Sequence, residues 1–269
     1  MAVTGTGTQA DPYVVTTYAE LVEKAAESGK YVKIGNDINI TDEYPNGDMP
    51  MLVVRAEIDG DGKTISNWYR TTSNTIYAIQ FTNKDYGSIK NLNIFNIYIK
   101  SSIYFMRSDP RYRTEALLTN CNVSGIMANN NAFYSCAWGT AVVFRGCSFN
   151  LKCSKFMDTG EEVGFASCYL KIQTTASYIL RSSDSSIYSD SYIEAVAPNL
   201  TSVSSGSKFS NSVLDITSNA SFSVTSTSEV SIVNSTHAPN VTVSGNAVAV
   251  TDENWLDVSY LSSIGFNVG

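Results

Sequence analysis

One short cassette returns along this chain: a turn-forming Asn, Gly, Ser or Asp, then Cys or Ser, then any residue, then usually an apolar one. It is read in Thr119-Asn120-Cys121-Asn122-Val123, Arg145-Gly146-Cys147-Ser148-Phe149 and Ala166-Ser167-Cys168-Tyr169-Leu170. It continues in Ser189-Asp190-Ser191-Tyr192-Ile193, Ser210-Asn211-Ser212-Val213-Leu214 and Val233-Asn234-Ser235-Thr236-His237. The Cys/Ser positions are 121, 147, 168, 191, 212 and 235, so the successive steps are 26, 21, 23, 21 and 23. A period in the twenties marks stacked repeats, each burying its apolar side on its neighbours, and not one globular sheet or a helix bundle. Equivalent side chains then lie one strand spacing apart, ~4.8 Å. Cys121, Cys147 and Cys168 are expected in one column, continued by Ser191, Ser212 and Ser235. Asn120, Asn211 and Asn234, with Asp190 interposed, are expected in the adjoining turn, where side-chain amides hydrogen-bond along the axis.

A continuous repeat makes the 269 residues one elongated domain. Apolar residues are 43% and charged residues 16%, enough core to exclude a disordered chain. A net charge of −7 argues against nucleic acid as a partner. The start, Met1-Ala2-Val3-Thr4-Gly5, lacks the basic and apolar segments of a secretory signal, and no later run is long enough for a bilayer. The expectation is synthesis in a reducing cytoplasm and no membrane contact. Five cysteines without a Cys-x-x-Cys pair read as buried thiols, not as a disulfide framework or a zinc site. No cofactor is expected.

The two ends differ from the middle. Thr17-Tyr18-Ala19-Glu20 is a capping box, and Leu21, Val22, Ala25 and Ala26 form an apolar stripe before Gly29. A helix over 18–28 is predicted, within an N-terminal cap of residues 1–30. Short β-rich runs punctuated by Gly, Asn and Asp fill 31–245, about ten coils at ~22 residues each. Trp255, Leu256, Val258, Leu261, Ile264 and Phe266 crowd into the last stretch, so 246–269 reads as a closing cap or a docking tail.

Ile58-Asp59-Gly60-Asp61-Gly62-Lys63-Thr64-Ile65-Ser66-Asn67 and Gly87-Ser88-Ile89-Lys90-Asn91-Leu92-Asn93-Ile94 resemble early coils of right-handed parallel β-helices of the pectate-lyase-like type. The preceding helix, running into Tyr31-Val32-Lys33-Ile34, is similar to the N-terminal cap of that group. The resemblance covers roughly residues 10–240. It implies an all-β, right-handed parallel β-helix (solenoid) of about ten coils with an N-terminal capping α-helix and a C-terminal cap. The Gly/Thr-rich opening with Asp11-Pro12-Tyr13-Val14-Val15 and the ending Tyr260-Leu261-Ser262-Ser263-Ile264-Gly265-Phe266 look similar to phage-encoded β-helical virion proteins. That likeness implies a structural protein located in the virion, as capsid decoration, head fibre or tail component. Its implied partners are other virion proteins, further copies in a homotrimer, and a host cell-surface polysaccharide.

Function is sought where the period stretches. The step from Leu92 to Cys121 is 29, and the surplus here and in the next step falls in 100–114 and 126–139. Long excursions from a solenoid are where binding resides. The first holds Tyr104, Phe105, Arg107, Arg111, Tyr112 and Arg113; the second holds Phe133, Tyr134 and Trp138. Aromatic and Arg side chains are the usual anchors of interfaces. A catalytic constellation is not legible. Asp59 and Asp61 sit in a Gly-rich turn that favours Asp for backbone reasons. Asp158, Glu161 and Glu162 read as an acidic loop, and Asp184 with Asp190 form no motif. The Asn-Thr-Asp, Asp-Asp, Gly-His-Gly and Arg-Ile-Lys signatures of the pectin hydrolases are missing, and the lone His237 matches none. Arg145 and Arg181 are lyase-base candidates by elimination. Besides the non-enzymatic virion protein, two classes stay open: a polysaccharide lyase or glycoside hydrolase, and a bacterial surface adhesin.

Overall fold

The computed structural model describes residues 3–267 except 48, 71–76, 83–86, 101–103, 109–115, 136–141, 160–162, 176–177, 183–186, 200–201, 206–207, 238–239 and 256. The chain is a parallel β-solenoid. Each turn lays one strand on each of three faces. Tyr31–Ile34, Ile38–Asn39 and Leu52–Val54 begin the series. The next turn places Glu57–Asp59, Thr64–Ser66 and Tyr77–Phe81 on them in parallel register.

The register of the second face stacks Ile38, Ile65, Ile94, Val123, Phe149, Leu170, Ile193, Leu214, Val233 and Ala249 in one inward column. All but Ala249 are buried. The steps between successive members are 27, 29, 29, 26, 21, 23, 21, 19 and 16, so the rod tapers toward its C-terminal end. Regular turns number about seven, fewer than the ten expected. The column still has ten members, so the shortfall lies in regularity, the steps between members being unequal. The ends also depart from regularity: a short helix, α2 (Ile40–Glu43), bends the first turn, and the last turns merge into two long strands, Phe222–Asn234 and Val241–Val250.

The cassette has a direct physical reading. Its first residue takes the left-handed conformation: φ is 54° at Asn91, 52° at Asn120, 58° at Gly146, 54° at Ser167, 50° at Asp190 and 46° at Asn211. Only Gly enters that region freely, and Asn and Asp enter at least cost. The following Cys or Ser turns its side chain back onto the carbonyl two residues earlier. Cys121 Sγ donates to Thr119 O, Cys147 Sγ to Arg145 O and Cys168 Sγ to Ala166 O, at 3.4, 3.2 and 3.4 Å. Ser191 and Ser212 Oγ do the same to Ser189 O and Ser210 O, both at 2.9 Å. The hydroxyls also accept from the rung before: Cys168 N donates to Ser191 Oγ, Ser191 N to Ser212 Oγ, and Ser212 N to Ser231 Oγ. The column therefore runs Cys121, Cys147, Cys168, Ser191, Ser212 and then Ser231, not Ser235. The step has shortened to 19 there. Ser235 instead donates to Val250 O. Asn234 is likewise displaced from the turn; it is buried, and its Oδ1 accepts from Thr236 N and Oγ1. The four cysteines among the described residues are free thiols.

The interior is apolar in the wide coils, where Trp68 and Phe105 meet edge to face at 6.1 Å. Lower down, Phe144, Phe165, Tyr188 and Phe209 stack on successive rungs with centroids 4.9, 5.0 and 5.1 Å apart. In the narrow coils serine replaces aromatic volume: Ser226 Oγ donates to Phe209 O at 2.7 Å beneath the last ring.

Helix α1 (Tyr18–Ala25) closes the N-terminal end, ending earlier than the predicted 28. Thr17 and Glu20 form the capping box, and the Glu43 carboxylate of α2 accepts from the Tyr18 and Ala19 amides. Burial pushes the Glu20 carboxyl up, but hydrogen bonds from Thr16 N, Thr16 Oγ and Thr17 N outweigh it, leaving the group below its usual value. Buried Tyr18 lies edge to face with Trp68 at 5.5 Å and donates to Pro50 O. At the other end α3 (Val258–Ser263) does not enter the rod. Leu261 and Phe266 pack with Ile232 and Val250 in a second, small core, flanked by Val213 and Val248 on the outer side of the sheet.

Candidate functional site on the outer face

The expected aromatic–Arg loops are in part strands. Tyr104–Ser108 pairs with Tyr77–Phe81, and Met106 and Arg107 stand opposite Phe133 and Tyr134 of Asn122–Ser135. Phe105 is buried against Trp68 and so presents nothing to a partner. Tyr104 stacks on Tyr77 at 5.8 Å, and the Arg107 guanidinium lies 4.9 Å from the Tyr77 ring. Residues Tyr104–Ser108 and Asn122–Ser135 thus extend the sheet within the expected excursions. Arg111, Tyr112, Arg113 and Trp138, and the side chains of Phe133 and Tyr134, lie outside the described residues, as do Asp184, Glu161, Glu162 and the side chains of Asp158 and Arg181.

Asp59 and Asp61 serve the turn. Asp59 Oδ1 accepts from Asp61 N at 3.0 Å and from Asn91 Nδ2 at 3.1 Å, and Asp61 pairs with Lys33 at 3.0 Å. Asp190 Oδ1 accepts from Asn211 Nδ2 at 2.9 Å, one rung of the expected turn ladder.

A different constellation emerges on the second face. Strands Tyr169–Thr174, Tyr192–Val196 and Val213–Thr217 pair in register, with Tyr169 opposite Tyr192 and then Val213, and Lys171 opposite Glu194 and then Asp215. Leu170, Ile172, Ile193, Ala195, Leu214 and Ile216 take the alternate positions and are buried. The period-two pleat therefore turns the Tyr, Lys, Glu and Asp side chains outward. Tyr169 and Tyr192 are tilted by 44° with centroids 5.6 Å apart. Glu194 is held from both sides: Tyr169 Oη donates at 2.6 Å and Lys171 Nζ at 2.7 Å. Those two partners hold its carboxyl below the usual range, Lys171 first. The same bond pushes the Tyr169 phenol up to about 12. Burial, then the charges of Asp215 and Glu194, push Tyr192 up to about 12. Asp215 is held more loosely, with Tyr192 Oη at 3.4 Å and His237 Nε2 at 3.7 Å.

Lys171, Glu194 and Asp215 follow one another in steps of 23 and 21, each three residues past Cys168, Ser191 and Ser212 of the Cys/Ser column. The cassette period itself thus points to this strip, read in the outward phase beyond the Cys/Ser column. Further up the same face, Tyr69 stacks on Tyr98 at 5.4 Å and Ile126 follows Tyr98 in register, all three exposed.

Among the described residues no cluster of His, Cys, Asp and Glu is placed to hold a metal ion, and no helix is long and apolar enough to cross a membrane. Comparison with family models, curated proteins and solved structures returned no match.

Proposed function

We propose that the chain is a non-enzymatic structural protein of a bacteriophage particle, a decorating or tail-associated rod that presents its outer face to a host surface. The observation that carries this reading is the pairing of charge on that face: Glu194 is neutralised by Lys171 and a phenol instead of being poised as an acid. The unbroken apolar column from Ile38 to Val233, closed by α1 at its start, supports a load-bearing rod. The partners are other virion proteins and copies of this chain in a trimer. Mass spectrometry of purified particles from the source is the test; the chain among stoichiometric components supports the reading, and its absence ends it.

A second reading is polysaccharide cleavage. Glu194 and Asp215 stand on successive rungs, with backbones ~4.8 Å apart, and a carboxylate pair is the machinery of glycoside hydrolysis. Against it, a general acid needs a raised pKa, and Glu194 has a lowered one. New reducing or unsaturated ends from a glycan panel, lost in Glu194→Gln, would establish this reading instead.

A further inference from the structure

We propose that the strip of Tyr169, Lys171, Tyr192, Glu194 and Asp215 binds a neutral or amino-sugar polysaccharide running along the rod axis, and rejects polyuronates. This deepens the attachment reading and rests on it only for its biological setting. One ring per rung gives a stepped aromatic platform, and both phenols are tied to carboxylates that hold the rings in place. Tyr faces with fixed hydroxyls offer apolar contact to a sugar ring at low entropic cost. Glu194 has two short partners and serves to orient them. Among the described residues Asp215 has only the long contacts at 3.4 and 3.7 Å, and its side chain is 23% exposed. A carboxylate offers about four acceptor sites, so a pair of sugar hydroxyls or an ammonium group satisfies it.

Charge decides the ligand class. Two carboxylates stand against Lys171 in a chain of net charge −7, so an anionic chain is repelled. Direction follows from the neighbours. Toward the C-terminal end Val213, next in the Tyr column, packs beside Leu261 and Phe266, which shuts the strip. Toward the N-terminal end Ser148 and Asn150 continue the two columns with hydroxyl and amide groups, which leaves room for further sugar units.

Titration calorimetry with a soluble neutral glucan, a galactan, a chitosan oligosaccharide and polygalacturonate tests the proposal. Binding of at least one of the first three is expected, weakened about tenfold or more, ~1.4 kcal/mol, by Tyr192→Ala and by Asp215→Asn. Tyr98→Ala, on distant coils of the same face, should stay within about threefold of the parent, ~0.7 kcal/mol. Circular dichroism melts confirm that each variant folds. Preference for polygalacturonate, silence from all three other glycans, or equal loss in Tyr98→Ala and Tyr192→Ala would each overturn it. Particle composition is a separate measurement, so failure here is distinguishable from failure of the virion reading.

Discussion

Phe165→Ala probes the stack at the centre of the rod. Phe165 is 1% exposed and meets four rings, with centroids at 4.9 Å (Phe144), 5.0 Å (Tyr188), and 6.1 Å (both Phe149 and Phe156). Truncating a buried Phe costs about 3–5 kcal/mol, depending on how far the site collapses. Collapse is restricted here because Phe144 and Tyr188 are fixed by their own rungs: strand Val163–Ala166 pairs with Val142–Arg145 above and Ile187–Ser189 below. We expect about 4 kcal/mol, of which each close ring pair accounts for about 0.5–1.5 kcal/mol. Phe165→Leu, which keeps most of the volume, should cost about half as much. A solenoid is coupled mainly between neighbours, so the damage should be local. Urea unfolding followed by circular dichroism gives the magnitude, and hydrogen exchange read by mass spectrometry gives the place. Amides of 142–189 should lose protection while those of α1 keep theirs. A cost below about 1.5 kcal/mol, or an even loss of protection that includes α1, would refute the reasoning.

Three further outcomes follow from the same geometry. In Gly125→Ala the new Cβ would overlap the backbone and Cβ of Ile97 on the preceding rung, so melting should show a loss near the top of the about 1–3 kcal/mol range for overpacking. Ser212→Ala removes a hydroxyl that donates to Tyr188 O and Ser210 O and accepts from Ser191 N; thermal melts should show about 1–3 kcal/mol lost, and Ser212→Cys should lose clearly less because thiols hold this place on earlier rungs. The folded-state pKa of Glu194 is depressed, so its ion pair contributes above the unfolded value, about 4.3, and is lost as pH falls through the folded one. The pair is partly exposed, so Glu194→Gln should cost at most about 1 kcal/mol at neutral pH, with the gap closing in strong acid; a gap that persists there would contradict the assignment.

The solenoid is legible in the sequence because its constraint is local. A left-handed turn admits few residues, and the next position needs a small donor, so both recur as text: Asn120-Cys121, Gly146-Cys147, Ser167-Cys168, Asp190-Ser191, Asn211-Ser212. The cassette misleads at Val233-Asn234-Ser235, where the letters recur but the step has shortened and Ser231 holds the column. Helix α2 escapes a sequence reading because Ile38-Asn39-Ile40 continues a strand pattern, while Asn39 caps the turn that follows. The outward strip is harder to see, since solvent-facing residues face no packing constraint. Only the spacing of Lys171, Glu194 and Asp215 betrays it, and nothing in their identities sets them apart from ordinary surface charge. Phe105 misleads because an aromatic–Arg run reads the same whether its rings point in or out.

Because the windings narrow along the rod, from a step of 29 between Ile65 and Ile94 to one of 16 between Val233 and Ala249, those at the two ends are not interchangeable. A rod of equal windings lengthens by duplicating one and shortens by deleting one. Here a unit moved from the broad end to the slender one would leave a ledge between perimeters that do not match, with ladder amides on the larger rim facing nothing. The molecule thus carries a built-in direction and a fixed extent, and evolution can alter its outward chemistry residue by residue far more readily than it can alter its reach.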